Sequence, residues 1–305
     1  MIGRRSNRSR YKRQKNKKNV IILMICILII SVVVVGIKFI PKQNKENVQV
    51  TTKPDKEIDS GDKDVTDNSE EVESNILDNS GYLSFEEDPN ADDAAIVAEN
   101  TKGLLNGTKH YPVRTDGKKV VYLTFDDGPS TTNTLGILDI LDRYNVKATF
   151  FTLGKSIEAN EEAKDILKET AKRGHAIANH TYGHDYSYLY PNKTMNVDNI
   201  ISDLEKSENS MKEVLGKDFS TRVIRLPGGY YNVDWNALNK DAEGKPKNAD
   251  ELLQSTKDTI EVLGPNADSV VLLMHDTYGK EETVKSLPQI IEYLQGKGFE
   301  FRTIK

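Results

Sequence analysis

Short apolar runs alternate with helical patterns from about residue 109 onward. The runs are rich in β-branched and aromatic residues, which is typical of buried strands. They predict strands at Val120–Phe125, Ala148–Leu153, His175–Asn179, Arg222–Leu226, Val233–Trp235, Val270–Met274 and Glu300–Ile304. Apolar residues at helical spacing predict helices at Thr134–Tyr144, Glu161–Arg173, Val197–Leu215, Ala249–Val262 and Thr283–Gly296. This alternation predicts an α/β fold with a mainly parallel sheet, either open or closed into a barrel.

The connection between the fourth and fifth predicted strands is too short for a parallel crossover. Only residues 227–232 separate Leu226 from Val233, whereas a crossover takes about a dozen residues or more and usually contains a helix. Extended chain of this length reaches at most about 25 Å, so it cannot descend one strand, return and also fold. We therefore expect a distorted (β/α) barrel of about seven strands that lacks a crossover after Leu226 and is incomplete on one side. Otherwise Asp234 and Trp235 reach the strand ends from a loop.

The N-terminal residues have a different pattern, which is typical of a membrane anchor. Residues 1–18 contain nine lysines and arginines and no acid, and the segment Val20–Ile37 contains no charge. Such a span is long enough to cross a hydrocarbon core of roughly 30 Å, and a preceding basic flank is typical of a cytoplasmic N-terminus. We predict a basic cytoplasmic tail at 1–18 and a transmembrane helix at 19–40. The protein would then be a single-pass protein of the cell membrane whose folded domain is extracellular.

Three other interpretations of this N-terminus agree less well with its residues. A cleaved signal peptide has a shorter apolar core and an A-x-A-like site, which residues 36–41 do not offer. A lipoprotein signal requires a small residue before its cysteine, but Ile25 precedes Cys26. A basic arm that binds nucleic acid would not be followed by an apolar span, so we expect no nucleic-acid partner. Because Cys26 is the only cysteine, disulfides, cysteine nucleophiles and cysteine-ligated zinc are excluded beyond the span.

Between the apolar span and the alternating region, the chain is polar and mildly acidic. Residues 42 to about 80 are mainly Lys, Asp, Glu, Asn, Ser and Thr, a composition that buries too little apolar surface to fold. Residues 81–106 contain a few apolar positions and one stretch compatible with a helix, 92–98. We expect a flexible, disordered stalk at 41–108 and one folded domain at 109–305, which is long enough for a full core.

Two adjacent carboxylates, Asp126 and Asp127, follow the first predicted strand of this domain. Gly128 and Pro129 end the strand directly after them, and parallel sheets keep their sites at the carboxyl ends of strands. Consecutive side chains of a strand diverge, so the two acids suit two separate tasks better than the sharing of one proton. The alternative is a polar turn, since Asp and Gly are common in turns.

His180 and His184 follow the third predicted strand with a spacing that suits a metal ion. Two imidazoles four residues apart fall on one side of a helical turn and can bind the same ion. The alternative is a pair of polar loop residues, although the chain has only five histidines. With Asp127 the pair would form a site of two histidines and one carboxylate, which leaves positions open for water and substrate as catalytic zinc sites do.

Other apolar runs also end in charged or titratable residues. Arg225 lies near the end of the fourth predicted strand, Asp234 lies in the fifth, and His275 follows the sixth. Taken singly, Arg225 is more often a salt-bridge residue and His275 a hydrogen-bonded strand end. Taken together, the strand ends deliver reactive groups to one face of a parallel sheet, which indicates an active site.

These motifs, in this order, resemble those of the polysaccharide deacetylases of the NodB-homology group, carbohydrate esterase family four. Among them the chain resembles membrane-anchored peptidoglycan N-acetylglucosamine deacetylases. The matching segments are Thr124–Pro129, His180–His184, Arg225–Gly229, Asp234–Trp235 and Leu273–Asp276. The resemblance implies a polysaccharide N-deacetylase, a hydrolase that acts on carbon–nitrogen bonds other than peptide bonds. It also implies that a helix normally present in the family is missing after Leu226.

The resemblance implies that Asp127, His180 and His184 bind one divalent ion, zinc or else cobalt or a similar metal. It also implies that Asp126 is the general base toward the water at the metal, and that His275 is the general acid that protonates the leaving amine. General chemistry agrees with these roles. An amide carbonyl is a poor electrophile that a metal can polarise, the attacking water must lose a proton to a base, and the amine cannot leave as an anion.

The resemblance also assigns the residues around this centre. Arg225 would position Asp126, and Asp234 would orient His275, whose pKa a neighbouring carboxylate raises. Trp235 and Leu273 would line the acetyl pocket, and a backbone N–H near Gly228 would hold the oxyanion. The substrate-binding residues implied in this way are Gly228, Tyr230, Trp235 and Leu273.

The predicted function is metal-dependent hydrolysis of N-acetyl groups of cell-wall glycan, namely peptidoglycan N-acetylglucosamine, to acetate and a free amine. One alternative is a membrane-tethered glycan-binding protein whose catalysis was lost with the missing segment. Another is a deacetylase of a chitin-like polymer, xylan or an exported polysaccharide. Near the histidines, Tyr182, Tyr186, Tyr188 and Tyr190 suit either a rim that stacks on sugars or ordinary loop packing.

Overall fold

A computed structural model of the chain describes residues 82–229 and 235–305. The predicted cytoplasmic tail, the predicted transmembrane helix and the stalk up to residue 81 lie outside these residues, as do Tyr230 and Asp234. Among the described residues, no helix has the length and hydropathy needed to span a bilayer. The membrane anchor therefore stays a prediction.

Two long strands form the centre of the sheet, and the remaining strands are short. In chain order the strands are β1 (Ala91–Asp92), β2 (Val120–Asp126), β3 (Thr149–Thr152), β4 (Ala176–Asn179), β5 (Ala237–Leu238), β6 (Ser269–His275), β7 (Glu300–Phe301) and β8 (Thr303–Ile304). β2 is buried along its whole length, as expected for a strand of a parallel sheet that is covered on both faces.

Helices occupy the connections between most of these strands. They are α1 (Ala94–Leu105), α2 (Thr134–Arg143), α3 (Gly154–Ile157), α4 (Glu161–Lys172), α5 (Tyr186–Leu189), α6 (Val197–Leu215), α7 (Ala249–Val262) and α8 (Glu281–Gly296). A single 3-10 turn, Pro191–Lys193, precedes α6. The five helices predicted from the sequence are thus present, with ends within two residues of those predicted.

Asparagine caps explain why three of these predictions were accurate. α4, α6 and α7 each begin directly after an asparagine whose side chain accepts a hydrogen bond from a backbone N–H of the first turn: Asn160, Asn196 and Asn248. Such a residue satisfies a donor that the helix itself leaves unpaired. At α7, Glu251 completes a capping box by accepting from the backbone N–H of Asn248.

The main sheet is parallel throughout, which confirms the predicted α/β class. Its strand order is β4-β3-β2-β6-β5, with β7 paired to the start of β2, and a small second sheet joins β1 to β8. The predicted strand Arg222–Leu226 is reduced to one parallel bridge between Asn179 and Ile224. The hydrogen-bonded sheet therefore extends from β4 to this bridge and ends there among the described residues.

The next described strand, β5, begins two residues after the end of the predicted strand Val233–Trp235. Val233 and Asp234 are outside the described residues, and Trp235 is not in a strand. The chain instead pairs with β6 at β5, where Leu238 lies opposite Leu273. Across the two described ranges, no ladder joins the Ile224 bridge to β5, so the hydrogen-bonded path is open beside the short connection 227–232.

The side chains of β2 alternate between two clusters, and this alternation positions Asp126. One row packs beneath the helices and ends at Phe125. The other row contains Tyr122 and faces a second, interior cluster. Because side chains of a strand point alternately to opposite faces, Thr124 and Asp126 continue the interior row. Asp126 therefore projects from the interior face at the carboxyl end of β2.

The register of the sheet aligns the strand ends. Asp126 lies opposite His275 of β6 and opposite Phe151 of β3. In the same way, Asn179 at the end of β4 lies opposite Thr152 of β3. Residues that follow β2, β4 and β6 therefore reach the same edge of the sheet, where parallel α/β folds place their sites.

Residues 82–108 belong to the folded domain, which corrects the predicted stalk of 41–108. β1 pairs with β8, and α1 buries Ala94 and Val97 in the interior cluster that also contains Ile304. The sequence offered only a short helix-compatible stretch here, because the residues that bury α1 come from the far end of the chain. Local composition does not report such contacts.

A network of charges fastens this segment to the domain. Arg114 Nη1 donates to Asp92 Oδ2 at 2.8 Å and to the hydroxyl of Tyr122 at 2.9 Å. The Tyr122 hydroxyl in turn donates to Asp92 Oδ2 at 2.7 Å. Arg302 Nε lies 2.9 Å from Asp92 Oδ1. Asp92 thus joins the N-terminal segment to both β2 and the C-terminal strands.

The described chain begins at the amino end of the strands. The ring of Tyr82 packs on Phe219 with centroids 5.1 Å apart, and its hydroxyl accepts a hydrogen bond from the Ile177 N–H at 3.4 Å. Ile177 lies in the first half of β4. The first described residues are therefore on the side of the domain away from Asp126.

Removal of the segment before Lys109 is expected to destabilise the domain. A chain that starts at Tyr82 keeps α1 and Asp92, whereas one that starts at Lys109 uncovers the interior cluster and leaves Arg114 and Tyr122 without Asp92. Core truncations cost about 2–5 kcal/mol, so we expect the free energy of unfolding to fall by at least about 2 kcal/mol. Urea unfolding of both chains measures this difference. Equal midpoints would contradict it and support a stalk that extends to residue 108.

Candidate active site

Three side chains at the carboxyl edge of the sheet converge on one point. One ligand atom from each of Asp127, His180 and His184 lies within 4.8 Å of the other two. His180 Nε2 is 3.5 Å, and His184 Nε2 is 3.7 Å, from Asp127 Oδ1. Tetrahedral zinc with ligands at about 2.0 Å sets its donor atoms about 3.3 Å apart. These spacings are close to those that one divalent ion requires.

The bonding of these side chains also agrees with a metal ion. Asp127 Oδ1 is buried and has no hydrogen-bond partner among the described residues, which is costly unless a cation faces it. His180 Nδ1 donates to the carbonyl oxygen of Arg225 at 2.6 Å, so its Nε2 carries the lone pair that a metal needs. Burial lowers the pKa of His180, which favours the neutral imidazole that binds metals. The three residues therefore fit a divalent ion.

The two histidines lie in a loop and not on the helical turn that their spacing suggested. Asp127, Thr181 and His184 adopt φ angles of 75°, 74° and 52°, in the left-handed region that residues with a Cβ rarely occupy. Such backbone strain clusters at functional sites. Spacing alone could not reveal this, because the loop conformation depends on tertiary contacts.

Asp203 of α6 fixes the backbone of the histidine loop. Its Oδ2 accepts hydrogen bonds from the Tyr182 N–H at 2.8 Å and the Gly183 N–H at 3.1 Å. On the other side, Lys155 Nζ donates to the carbonyl oxygen of Gly183 at 2.6 Å. Asp203 and Lys155 were missed by sequence analysis, because nothing in the local pattern links them to the histidines.

Asp126 lies beside the three metal-binding candidates and is held by Arg225. Arg225 Nη1 donates to Asp126 Oδ1 at 2.5 Å and to Thr124 Oγ1 at 3.0 Å. Both Asp126 and Arg225 are buried, with 3% and 1% of their surface exposed. The guanidinium also stacks on the ring of Phe151 at 3.9 Å. Asp126 Oδ2 lies 3.6 Å from His180 Nε2, so the second oxygen faces the site.

His275 lies across the site from the histidine loop and is bonded to Asp241. Its Nδ1 lies 2.7 Å from Asp241 Oδ1, and its backbone N–H donates to Asp241 Oδ2 at 2.9 Å. Thr283 also donates to Oδ2, at 2.8 Å. Burial acts to lower the pKa of His275, but the hydrogen bond and charge of Asp241, with the charge of Asp126, outweigh it and raise the pKa to about 8. A protonated His275 is therefore favoured at neutral pH.

The partner of His275 corrects the sequence prediction, which assigned this position to Asp234. β5 pairs with β6 so that Leu238 lies opposite Leu273, and the chain then carries Asp241 past the end of the sheet to His275. Asp234 precedes β5 and lies outside the described residues. The sequence prediction followed an Asp-Trp dipeptide. The useful signal is instead the first carboxylate after the short strand.

A pocket of about 290 Å³ opens over these groups. Of the predicted substrate-binding residues, Gly228, Trp235 and Leu273 line it, whereas Tyr230 lies outside the described residues. The lining residues that sequence analysis did not assign are Leu226, Leu238, Lys240, Asp241, Ala242 and Glu243. The lining of the pocket thus combines apolar side chains with charged ones.

The tyrosines near the histidines are predicted to form either a rim that stacks on sugars or ordinary loop packing, and the structure distinguishes among them. Tyr186 lines the pocket and packs edge-on against His184, with ring centroids 5.3 Å apart. Tyr182 donates its hydroxyl to Glu158 at 2.7 Å, and Tyr190 is buried and donates to the carbonyl oxygen of Pro227 at 2.9 Å. Tyr182 and Tyr190 therefore serve loop packing, whereas Tyr186 is part of the pocket lining.

Comparison with known proteins identifies the family. A family model described as polysaccharide deacetylase matches residues 113–245. A peptidoglycan-N-acetylglucosamine deacetylase of Bacillus cereus is 33% identical over 202 residues, which cover 61% of this chain and 67% of that protein. The chain belongs to the polysaccharide deacetylase family. The resemblance noted in the sequence motifs is thereby confirmed.

Other members of the polysaccharide deacetylase family extend this comparison. A bifunctional xylanase/deacetylase of Pseudobutyrivibrio xylanivorans is 34% identical over 215 residues, which make up 69% of this chain but 33% of that protein. The chain thus spans about a third of the length of that relative. A solved CE4 esterase of Streptococcus mutans matches with a TM-score of 0.61 and 33% identity, over 70% of this chain and 92% of that chain.

Substitution of Asp203 is expected to weaken metal binding in this deacetylase fold. Asp203→Ala removes the acceptor for two N–H groups of the histidine loop, and loss of such supporting contacts typically costs about 10–100-fold in metal affinity. Asp203→Asn keeps an acceptor oxygen and should restore part of the affinity. Zinc titration calorimetry measures the effect, with Glu205→Ala on the same helix as control. An affinity for zinc that is unchanged in Asp203→Ala would contradict the positioning role.

The charge of Asp241 is expected to set the pKa of His275. In the metal-free protein, NMR titration should give His275 a midpoint near pH 8. Asp241→Asn removes the charge that raises this pKa, so burial should then lower it below the ordinary value of about 6.5. The variant would therefore lose the His275 proton at a lower pH. Glu243→Gln, which removes another carboxylate of the same pocket, is the control, and equal shifts in both variants would contradict a specific pair.

Proposed function

We propose that the protein removes N-acetyl groups from a cell-wall glycan, with peptidoglycan N-acetylglucosamine as substrate. One observation carries this proposal. A buried carboxyl group, Asp126, and a histidine with a raised pKa, His275, lie on adjacent strands in direct register beside three side chains that fit a divalent ion. A base, an acid and a metal centre in one pocket are the groups that amide hydrolysis requires.

Zinc is the ion that we propose for Asp127, His180 and His184. Nitrogen and oxygen donors from two histidines and one carboxylate are typical of catalytic zinc sites, and cobalt accepts the same donors. When bound there, the ion would polarise the acetamide carbonyl and lower the pKa of water. The contribution of the chain is to hold His180 with its Nε2 toward the site and to keep Asp127 Oδ1 unbonded.

Asp126 is the proposed general base. Its Oδ1 is occupied by Arg225, so Oδ2 remains to accept the proton of the attacking water. Arg225 is buried with it, and the pair therefore holds the carboxylate in one orientation. Orientation of this kind lowers the barrier, because the acceptor does not have to be ordered in the transition state.

His275 is the proposed general acid. Its Nδ1 is bonded to Asp241, so the proton for the leaving amine would come from Nε2. Asp241 raises the pKa of His275 to about 8, close to the range in which an acid is both protonated at neutral pH and able to release its proton. Asp126 and His275 would thus act on opposite sides of the scissile carbon–nitrogen bond.

The pocket walls support an acetyl group as the part that enters. Leu226, Trp235 and Leu273 provide apolar surface next to the ligand atoms of the metal site, which suits a methyl group. Tyr186, which lines the pocket and is 49% exposed, is the proposed contact for a sugar ring. A backbone N–H near Gly228 is the proposed donor to the oxyanion.

The relatives support a glycan substrate, but their names indicate different glycans. One relative acts, by its name, on peptidoglycan N-acetylglucosamine and another is a xylanase/deacetylase. The predicted anchor favours the first, since a single-pass protein with an extracellular domain would face the cell wall. We therefore propose a location at the cell membrane. Acetyl xylan is the second candidate substrate, and comparison of acetate release from both polymers separates them.

Substitution of Asp126 is expected to stop turnover without loss of metal. Asp126→Asn keeps the shape of the side chain but cannot accept the proton, and loss of a general base typically lowers the rate by about 10²–10⁴-fold. His180→Ala removes a metal-binding candidate and should lower both metal content and turnover. Acetate release from wall glycan and metal analysis of the same full-length samples measure the two effects.

The parent protein is the control for catalysis. If folded, zinc-loaded parent protein releases no acetate from any glycan, the tethered glycan-binding alternative replaces the proposed function. If Asp126→Asn turns over at the parent rate, another group is the base. Lys118→Gln, at the amino end of the sheet, is a matched surface variant that should leave both measurements unchanged.

A further inference from the structure

A second pocket adjoins the active-site pocket. It has a volume of about 310 Å³ and shares Asp241 and Ala242 with the first pocket. Three lysines line it, Lys245, Lys247 and Lys280. They lie on the connections that follow β5 and β6, so the second pocket opens at the same edge of the sheet as the proposed active site. We refer to it as the lysine pocket.

Two of these ammonium groups are oriented by backbone carbonyls. Lys247 Nζ donates to the carbonyl oxygen of Lys240 at 2.9 Å and also to that of Glu243. Lys280 Nζ donates to the carbonyl oxygen of Asp241 at 2.8 Å. A carbonyl fixes the position of the amine but has no net charge to neutralise it. These contacts therefore fix the two amines in place without an ion pair.

The carboxylates of the lysine pocket already have other partners. Asp241 is bonded to His275, and Glu282 pairs with Lys285 at 2.6 Å while it accepts from the Ala249 N–H at 2.9 Å. Across residues 82–229 and 235–305, no ion pair within 4.0 Å involves any of the three lysines. The pocket is thus left with an excess of positive charge.

We propose that the lysine pocket binds a carboxylate of the glycan chain whose N-acetyl group lies in the active-site pocket. This inference rests on the proposed function. In peptidoglycan, the sugar next to each N-acetylglucosamine carries a lactyl group that ends in a carboxylate or in an acidic peptide, whereas chitin-like polymers are neutral. A positive pocket contiguous with the active site would therefore favour the acidic glycan.

Lys245 offers the cleanest test of this subsite. Its side chain is exposed and has no bond to another described residue, so its replacement should leave the fold intact. Lys245→Gln removes the charge, Lys245→Glu reverses it, and Lys247→Gln tests the second ammonium group. Lys118→Gln, at the other end of the sheet, is the matched control.

Binding is measured with full-length, zinc-loaded protein and two oligosaccharides of equal length. One is a muramic-acid-containing fragment with free carboxylates, and the other is an N-acetylglucosamine oligomer. Trp235, the only tryptophan of the chain, lines the active-site pocket and reports binding by its fluorescence. Because exposed charge pairs contribute about 0.2–1 kcal/mol, we expect Lys245→Gln and Lys247→Gln each to weaken binding of the acidic oligomer by about 1.5- to fivefold.

Further results are expected if the lysine pocket recognises the negative charge of the glycan. Lys245→Glu should weaken binding of the acidic oligomer more than Lys245→Gln, and neither should change binding of the neutral oligomer. The preference of the parent protein for the acidic oligomer should fall with added salt, because exposed charges are screened. Amidation of the carboxylates should abolish the preference in the parent and remove the additional loss of affinity that Lys245→Glu causes.

Other results would overturn the inference. Unchanged affinity of Lys245→Glu for the acidic oligomer would exclude the lysine pocket as a subsite, and equal losses for both oligomers would indicate general damage to the site. A preference that survives amidation would contradict a carboxylate ligand. Acetate release is measured separately, so an inactive parent protein would contradict the proposed function while the binding comparison still decides the subsite.

Discussion

The buried pairing of Arg225 with Asp126 is the interaction on which the candidate active site depends. The side chain of Arg225 holds Asp126, and its backbone carbonyl holds His180 Nδ1. One residue thus sets the orientation of the proposed base and of one proposed metal ligand. Removal of one member of a buried ion pair leaves the other charge uncompensated and is strongly destabilising, so variation of Arg225 would affect stability and chemistry together.

The opposite half of the site is built independently and is joined to the first half by strand register. Asp241 follows β5, and His275 ends β6. Because β2 and β6 pair along seven residues, Asp126 and His275 are held at adjacent strand ends. A rigid central pair of strands therefore separates base from acid, while the loops around them supply the metal-binding and substrate-binding groups.

Periodicity predicted most of the fold, because the long strand β2 is buried on both faces and three of the helices begin at capping asparagines. The same logic indicated that the residues after the strands, such as Asp126 and His275, share one edge. It missed three features that depend on distant contacts. The helix α1 is buried by residues from the C-terminus, the loop of His184 has strained backbone, and the partner of His275 depends on how β5 pairs with β6.

The position of Tyr82 has a consequence for how the domain can be presented. The described chain begins at the amino end of the strands, and the reactive groups lie at the carboxyl end. The chain therefore enters the domain at Tyr82, at the end of the sheet opposite the proposed active site. A long polymer that lies across the carboxyl end of the strands therefore does not have to pass the residue at which the described chain begins.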